Sequence, residues 1–179
     1  MTEIRPAPFR EGVRDGIPIA LGYFAVSFTL GIAARNAGLN AFQGFLASLL
    51  NLASAGEYAG FALIAVSAPY WEVAMVTLIT NARYLLMSCA LSQKLAPETP
   101  LLHRAGEGDA VTDELFGIAM ARPGALEPAY SYGAMSVAVP CWAVGTALGV
   151  IAGNVLPLRA VSALSVALYG MFLAVIIPP

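Results

Sequence analysis

The chain has 179 residues, of which 59% are hydrophobic and only 11% are charged. Soluble domains carry about a quarter charged residues, so this composition excludes a water-soluble fold and predicts an all-α polytopic integral membrane protein. A net charge of −2 without a basic cluster excludes a nucleic-acid partner. The two cysteines and one histidine form no cluster in the sequence, so we predict no metal and no cofactor.

The first predicted span is residues 16–34, which follow a polar arm. Pro18 falls in the first turn of this span, where the missing N–H costs little. The span is followed by Arg-Asn-Ala-Gly at residues 35–38, and Gly38 is the predicted residue that ends the helix.

Residues 41–71 form the second apolar run, and Glu57 is the only acidic or basic residue among them. A helix of this length is about 45 Å long, whereas a hydrocarbon core is about 30 Å thick. One straight span does not need this length, so we predict a discontinuous or re-entrant helical segment, broken near residues 54–56. Many transporters place polar groups at the middle of the membrane on helices of this kind.

Residues 73–91 are predicted to form one further span with Asn81 and Arg83 near its centre. An arginine at this depth costs a few kcal/mol and normally needs a partner or a water-filled cavity. The alternative is a helix that ends near Thr80, with Arg83 at the membrane interface.

A polar connection, residues 92–129, is predicted to contain one short helix at residues 112–121. Thr112 is its expected cap, and Asp113 and Glu114 lie where the helix dipole favours negative charge. The two acids are either parts of this cap or groups that take part in coupling or gating.

Two further spans are predicted at residues 130–156 and 160–179. Gly145, Gly149 and Gly153 recur every four residues, which is typical of a face on which helices pack closely. The last run ends in two prolines without a polar tail, so we expect the native chain to continue and to be truncated here.

Counting arginine and lysine compares two topologies for residues 41–71. A single crossing places four of these residues on each side of the membrane, whereas a re-entrant hairpin places six on the side of the N-terminus and two opposite. The positive-inside rule favours the hairpin with a cytoplasmic N-terminus; the sequence leaves both topologies open.

Glu57 and Arg83 are the two charges that this arrangement cannot move to an interface. Burying either alone is expensive and pairing lowers the cost, so we predict that both face one cavity, paired directly or bridged by substrate. An amino acid would offer its ammonium to Glu57 and its carboxylate to Arg83, and Glu57 would also couple transport to protons if it titrates. The alternative is an ion pair that only fixes helix register. The predicted substrate-binding residues are Ser54, Gly56, Glu57, Tyr58, Asn81 and Arg83, and the predicted coupling or gating residues are Glu57, Asp113 and Glu114.

At these residues the chain resembles the AzlC family of branched-chain amino acid transport proteins. The resemblance is carried, in order, by FREGVRDGIPIALGYFAVSFTLGIAARNAGL, NLASAGEYAGFALI, TLITNARYLLMSCALS and DAVTDELFGIA. The family pattern has Gln in place of Glu57, Phe in place of Tyr58, and an Arg-His pair in place of Arg83-Tyr84, so the substrate stays open. The resemblance implies longer chains, a bacterial cytoplasmic membrane, export of branched-chain or similar neutral amino acids, and a small AzlD-type membrane partner.

The sequence therefore predicts a transporter subunit for small neutral amino acids in one transmembrane domain. The alternative is a non-transporting membrane scaffold or assembly partner. An enzyme is not predicted, because the apolar regions contain no nucleophile set, metal cluster or suitable pair of carboxylates. Direction of transport, coupling ion, exact substrate and oligomeric state stay open.

Overall fold

The computed structural model describes residues 7–109, 111–153, 155 and 166. In this part of the chain the secondary structure consists of eight helices and no strand, which confirms the all-α prediction. The helices are α1 (Pro8–Asn36), α2 (Ala41–Asn51), α3 (Ser54–Ala65), α4 (Tyr70–Thr80), α5 (Arg83–Lys94), α6 (Leu101–Asp109), α7 (Asp113–Ala121) and α8 (Pro128–Ala152). The last predicted span, residues 160–179, lies outside the described residues apart from residue 166.

Two of the described helices, α1 and α8, are each long and apolar enough to cross a membrane, and the bent pair α4–α5 is a third candidate. α1 begins at Pro8, so the helix includes part of the predicted polar arm, and Pro18 lies inside it rather than in its first turn. The end of α1 is as predicted. Gly38 has φ +84°, and Leu39 N–H binds the Ala34 carbonyl at 3.1 Å, which is the bond of a Schellman cap.

The predicted interruption in residues 41–71 is present, but it lies at Leu52–Ala53 rather than at residues 54–56. Leu52 adopts the left-handed conformation (φ 42°, ψ 36°) and its N–H binds the Ser48 carbonyl. Residues 54–56 instead form the first turn of α3, because a serine and a glycine are tolerated there as readily as in a break.

A reversal of chain direction between α3 and α4 was not predicted. α3 packs along α4 far more extensively than it packs against α2, and the turn between them is residues 66–69, where Ser67 has φ +56°. Hydrogen bonds from Ser67 N–H to the Ile64 carbonyl and from Ala68 N–H to the Leu63 carbonyl close this turn. The helical hairpin of this region is therefore α3–α4.

The span predicted at residues 73–91 corresponds to the bent pair α4–α5 and not to one straight helix. α4 ends at Thr80 and α5 begins at Arg83, with a bend of 44° between them. The alternative prediction, a helix that ends near Thr80, gave the end of α4 correctly. Apolar side chains continue on both sides of the break, so hydrophobicity alone did not reveal it.

The polar connection contains two helices. α7 begins after Thr112, whose hydroxyl accepts a hydrogen bond from Leu115 N–H at 3.4 Å, as predicted. α6 was not predicted, because Gly106 and Gly108 lie inside it and glycine is a poor helix former. Arg104 on α6 holds the preceding loop by donating to the carbonyl oxygens of Ser92, Ala96, Pro97 and Thr99.

The described residues fall into two compact units, and α1 and α8 contribute to both. The first unit comprises the described residues within Met1–Gly22 and Asn81–Pro140. Its buried hydrophobic cluster comes from α5, α7, the loops around them and the start of α8: Leu91, Leu95, Val111, Ala119, Leu126 and Tyr130. Leu126 N–H binds the Lys94 carbonyl at 2.9 Å, which fixes the entry to α8 against the end of α5.

The second unit comprises the described residues within Tyr23–Thr80 and Cys141–Pro179. Here α8 lies against α1 along the predicted glycine face. A Cβ atom at Gly149 would overlap the Phe28 backbone, and one at Gly31 would overlap the Thr146 backbone. The small residues therefore allow a near-contact between two helix backbones, as expected of a packing face.

Candidate functional site

Glu57 lies in the first turn of α3, just after the break at Leu52–Ala53, and only 1% of the residue is exposed. Its Oε1 accepts a hydrogen bond from the Ser48 hydroxyl on α2. Its Oε2 accepts one from the Trp142 indole N–H on α8 at 2.9 Å. Both carboxyl oxygens are thus bound by neutral donors from two other helices of the second unit.

The hydroxyl of Thr146 extends this cluster. Ser48 Oγ lies 2.6 Å from Thr146 Oγ1, and Thr146 Oγ1 lies 3.3 Å from the carbonyl oxygen of Trp142. Tyr23 packs edge-on against the Trp142 ring, with the ring centroids 5.1 Å apart. We call the four residues Ser48, Glu57, Trp142 and Thr146 the Glu57 cluster.

Sequence reasoning missed Ser48, Trp142 and Thr146. Ser48 and Thr146 are both fully buried polar residues; Ser48 is the one hydroxyl of α2, and Thr146 is the one hydroxyl of the apolar second half of α8. That pattern was the available signal, but pairing the two positions required knowledge of which helices pack together.

Arg83 opens α5 in the first unit and pairs with Asp113, which opens α7. Arg83 Nη2 lies 2.9 Å from Asp113 Oδ2, and the two side chains are 39% and 43% exposed. Arg83 also donates to the Tyr84 hydroxyl at 3.3 Å. Partial burial raises the pKa of Asp113, the positive charge of Arg83 opposes that rise, and the negative charge of Glu114 adds to it.

The structure gives Arg83 and Glu57 partners that were not predicted, and the bridging of the two by substrate stays a prediction. Arg83 has Asp113 as its ion-pair partner, and Glu57 is bound by Ser48 and Trp142. The Arg83–Asp113 pair was missed because sequence reasoning treated Asp113 as a cap residue or coupling group on a separate helix. Sequence reasoning could not show that α7 places this acid at the start of α5.

The other predicted site residues lie close to the two helix breaks. Asn81 is in the turn between α4 and α5, where its carbonyl accepts from Tyr84 N–H at 2.9 Å. Glu114 is exposed and follows Asp113 on α7. Gly56 is buried in α3, whereas Ser54 and Tyr58 of the same helix are half-buried. Their roles in binding substrate stay predictions.

A second ion pair in the first unit was not predicted. Arg122, just after α7, lies 2.6 Å from Glu11 on α1 and 4.1 Å from the Tyr130 ring centroid. The hydrogen bond to Glu11 is the main cause that raises the pKa of Arg122. Tyr130 in turn donates its hydroxyl to Asp15 at 2.8 Å. This network joins α1, α8 and the end of α7.

No group of three or more His, Cys, Asp or Glu side chains in the described part of the chain is placed to hold a metal ion. The Glu57 cluster and the Arg83–Asp113 pair together offer two carboxyl groups, one guanidinium and several hydroxyls, which bind protons and charged or hydrogen-bonding organic ligands.

Membrane-length apolar helices, interrupted helices and a buried carboxyl group beside one interruption define a polytopic integral membrane protein. The family model described as AzlC protein matches residues 18–156. The chain belongs to the AzlC family, as the sequence resemblance predicted. This family is transport-associated, which supports a role related to membrane transport.

Two relatives support the same assignment. A membrane protein of Archaeoglobus fulgidus is 31% identical over 176 residues, which cover 97% of this chain and 77% of that protein. The inner membrane protein YgaZ of Escherichia coli K12 is 25% identical over 158 residues, which cover 84% of this chain and 64% of that protein. No solved structure matches the chain.

Proposed function

We propose that the chain is a subunit of a secondary transporter that moves small neutral amino acids of the branched-chain type across the bacterial cytoplasmic membrane, as an exporter. Family membership supports the transport role. The name of the E. coli relative as an inner membrane protein supports the location. The family resemblance also underlies export and a small AzlD-type partner.

The observation that carries the proposal is the Arg83–Asp113 pair beside the α4–α5 break. An amino acid carries one ammonium and one carboxylate, so it matches the charges of this pair. The substrate carboxylate would bind Arg83 and the substrate ammonium would bind Asp113, each replacing one half of the existing ion pair. A half-exposed pair costs little to open, which suits a site that must bind and release in every cycle.

The first unit also contains a small cavity between α5, α7 and α8, with room for about one water molecule, so an aliphatic substrate side chain would have to widen it. Its lining is almost entirely apolar: Leu91, Val111, Leu115, Ile118, Ala119, Tyr130, Ser131, Ala134 and Met135. Ser131 Oγ is a buried polar atom without a hydrogen-bond partner. Leu115 lies two residues from Asp113 on α7, so the cavity begins within one turn of the proposed ammonium site.

The test is flux of labelled leucine, isoleucine, valine and methionine in proteoliposomes, with and without an AzlD-type partner. Wild type is compared with Arg83→Ala and Asp113→Asn, and with Arg14→Ala and Glu127→Gln as matched controls on exposed residues. We expect flux in wild type and in both controls, and a loss of tenfold or more (about 1.4 kcal/mol) in the two site variants at equal protein level.

Two outcomes would contradict the proposal. Wild-type protein that moves none of these amino acids in either direction, with the partner present, would favour the scaffold alternative. Flux that survives both Arg83→Ala and Asp113→Asn would leave transport standing and remove the substrate site from this ion pair.

A further inference from the structure

The Glu57 cluster buries a carboxyl group that has no cationic partner among the residues that the structure describes. Among the described residues the ion pairs are Arg83–Asp113 and Arg122–Glu11, and neither includes Glu57. Glu57 is 1% exposed, and its two oxygens face the Ser48 hydroxyl and the Trp142 N–H. A buried carboxylate that is balanced only by neutral donors is expensive, so the protonated form competes with the ionised form.

The two hydroxyls beside Glu57 can serve either form. When Glu57 is ionised, Ser48 donates its one hydrogen to Glu57 Oε1, and Thr146 donates to Ser48 Oγ. When Glu57 is protonated, Glu57 donates to Ser48, Ser48 donates to Thr146 across 2.6 Å, and Thr146 donates to the Trp142 carbonyl across 3.3 Å. A hydroxyl is both donor and acceptor and rotates freely, so every hydrogen in the row has an acceptor in both states.

We propose that Glu57 is a reversible proton-binding site, and that rotation of the Ser48 and Thr146 hydroxyls stabilises whichever protonation state is present. The Trp142 indole is the fixed donor in the cluster, since an indole N–H cannot accept. The proton-binding site stands on this geometry alone. Its use in coupling proton movement to amino-acid movement rests on the proposed function.

Other titratable groups are few among the residues of the second unit that the structure describes. α2 carries none, and the only ones on α3 and on the α8 residues of this unit are Tyr58 and Cys141. α1 brings Tyr23, which packs on Trp142, and Arg35, which donates to the Gly153 carbonyl. Tyr70 and Glu72 lie in the first turn of α4, at the end of the α3–α4 hairpin opposite to Glu57. A titration sensed at Trp142 and abolished by Glu57→Gln therefore belongs to Glu57.

The experiment uses Trp142 as the reporter, because its N–H binds Glu57 directly. Trp71 is the other tryptophan of the chain and is 69% exposed, so Trp71→Phe leaves a single reporter with little disturbance. The emission of this single-tryptophan protein in lipid nanodiscs is measured against pH. We expect one titration, which is absent after Glu57→Gln and unchanged after Glu127→Gln, an exposed control carboxylate of the other unit.

The two hydroxyl variants should move the midpoint in opposite directions. Ser48→Ala removes a donor from the ionised form, so the midpoint rises by about one pH unit. Thr146→Val removes the acceptor that Ser48 needs when Glu57 is protonated, so the midpoint falls by a similar amount. Thr146→Ser keeps the hydroxyl and should leave the midpoint unchanged. If a hydroxyl variant does not fold, the infrared band of a protonated carboxyl group in wild type, absent in Glu57→Gln, decides the question.

Several results would overturn the proposal: an emission that does not change with pH while the protein stays folded, a titration that survives Glu57→Gln, or midpoints that shift in the same direction in Ser48→Ala and Thr146→Val. The optical titration needs no substrate. A titration without amino-acid flux would contradict the proposed function and leave the proton site standing, and flux without a titration would do the reverse.

Discussion

Arg83 and Asp113 join the first residue of α5 to the first residue of α7, with 2.9 Å between Nη2 and Oδ2. The positive end of a helix dipole lies at its N-terminus, so the position favours Asp113 and disfavours Arg83. Arg83 is therefore poorly placed for stabilising its own helix. Its position beside the α4–α5 break is better explained by a binding role of the guanidinium group than by a contribution to the stability of the helix.

We predict that the Arg83–Asp113 pair contributes little to stability. Both side chains are more than a third exposed, and such pairs contribute about 0–1 kcal/mol. A double-mutant cycle with Arg83→Gln and Asp113→Asn, measured by unfolding in detergent, should give a coupling energy below about 1 kcal/mol. A coupling of several kcal/mol would show a structural ion pair and count against a binding role.

The charge-exchanged protein, Arg83→Asp with Asp113→Arg, gives a second prediction about this pair. It keeps the attraction between the two side chains and reverses the order of the charges that a bound amino acid meets. We expect wild-type protein levels and a loss of flux of tenfold or more (about 1.4 kcal/mol). Flux at the wild-type level in this variant would mean that the pair does not bind the two charged groups of the substrate.

The sequence predicted the features that short stretches determine. The Thr112 cap of α7 and the end of α1 at Gly38 each depend on only three to five neighbouring residues. Both are present in the structure. The break at Leu52 was misplaced because leucine has no intrinsic preference for a left-handed conformation. The partners of Glu57 and Arg83 were missed because they depend on which helices pack together, and spacing along the chain does not contain that information.

Thr112 provides a test of the one cap at the candidate substrate site. Its hydroxyl accepts from Leu115 N–H, so Thr112→Ala should lower the free energy of unfolding by about 1 kcal/mol, and Thr112→Ser should preserve it. Because Asp113 follows the cap directly, fraying of this turn should also weaken flux. Equal stability of the alanine and serine variants would show that the cap does not hold α7 in place.

The left-handed backbone conformation of Leu52 should decide whether a substitution there raises or lowers the unfolding temperature. With φ 42° and ψ 36°, a non-glycine residue is strained by about 1–2 kcal/mol. Leu52→Gly should therefore raise the unfolding temperature or leave it unchanged, despite the loss of a half-buried side chain. Leu52→Val should lower it, since β-branched residues tolerate this conformation poorly. The reverse order in thermal unfolding would mean that the strain at the α2–α3 break is absent.

Gly149 is the position where the approach of α8 to α1 is most easily tested. A Cβ there would overlap the backbone of Phe28 and approach Gly31, so the two helices must separate to accept even alanine. Helix backbones cannot move aside as the end of a flexible side chain can, and we expect Gly149→Ala to cost at least the 1–3 kcal/mol that is typical of overpacking. Gly22→Ala on α1 is the matched control, because no atom lies within 4 Å of the added Cβ.

Size-exclusion profiles and thermal unfolding in detergent should show loss of folded protein for Gly149→Ala and wild-type behaviour for Gly22→Ala. The separation would also draw Thr146 away from Ser48, so in the single-tryptophan protein Gly149→Ala should disturb the pH response of Trp142. Wild-type stability and an unchanged optical titration in Gly149→Ala would contradict the close packing of these two helices.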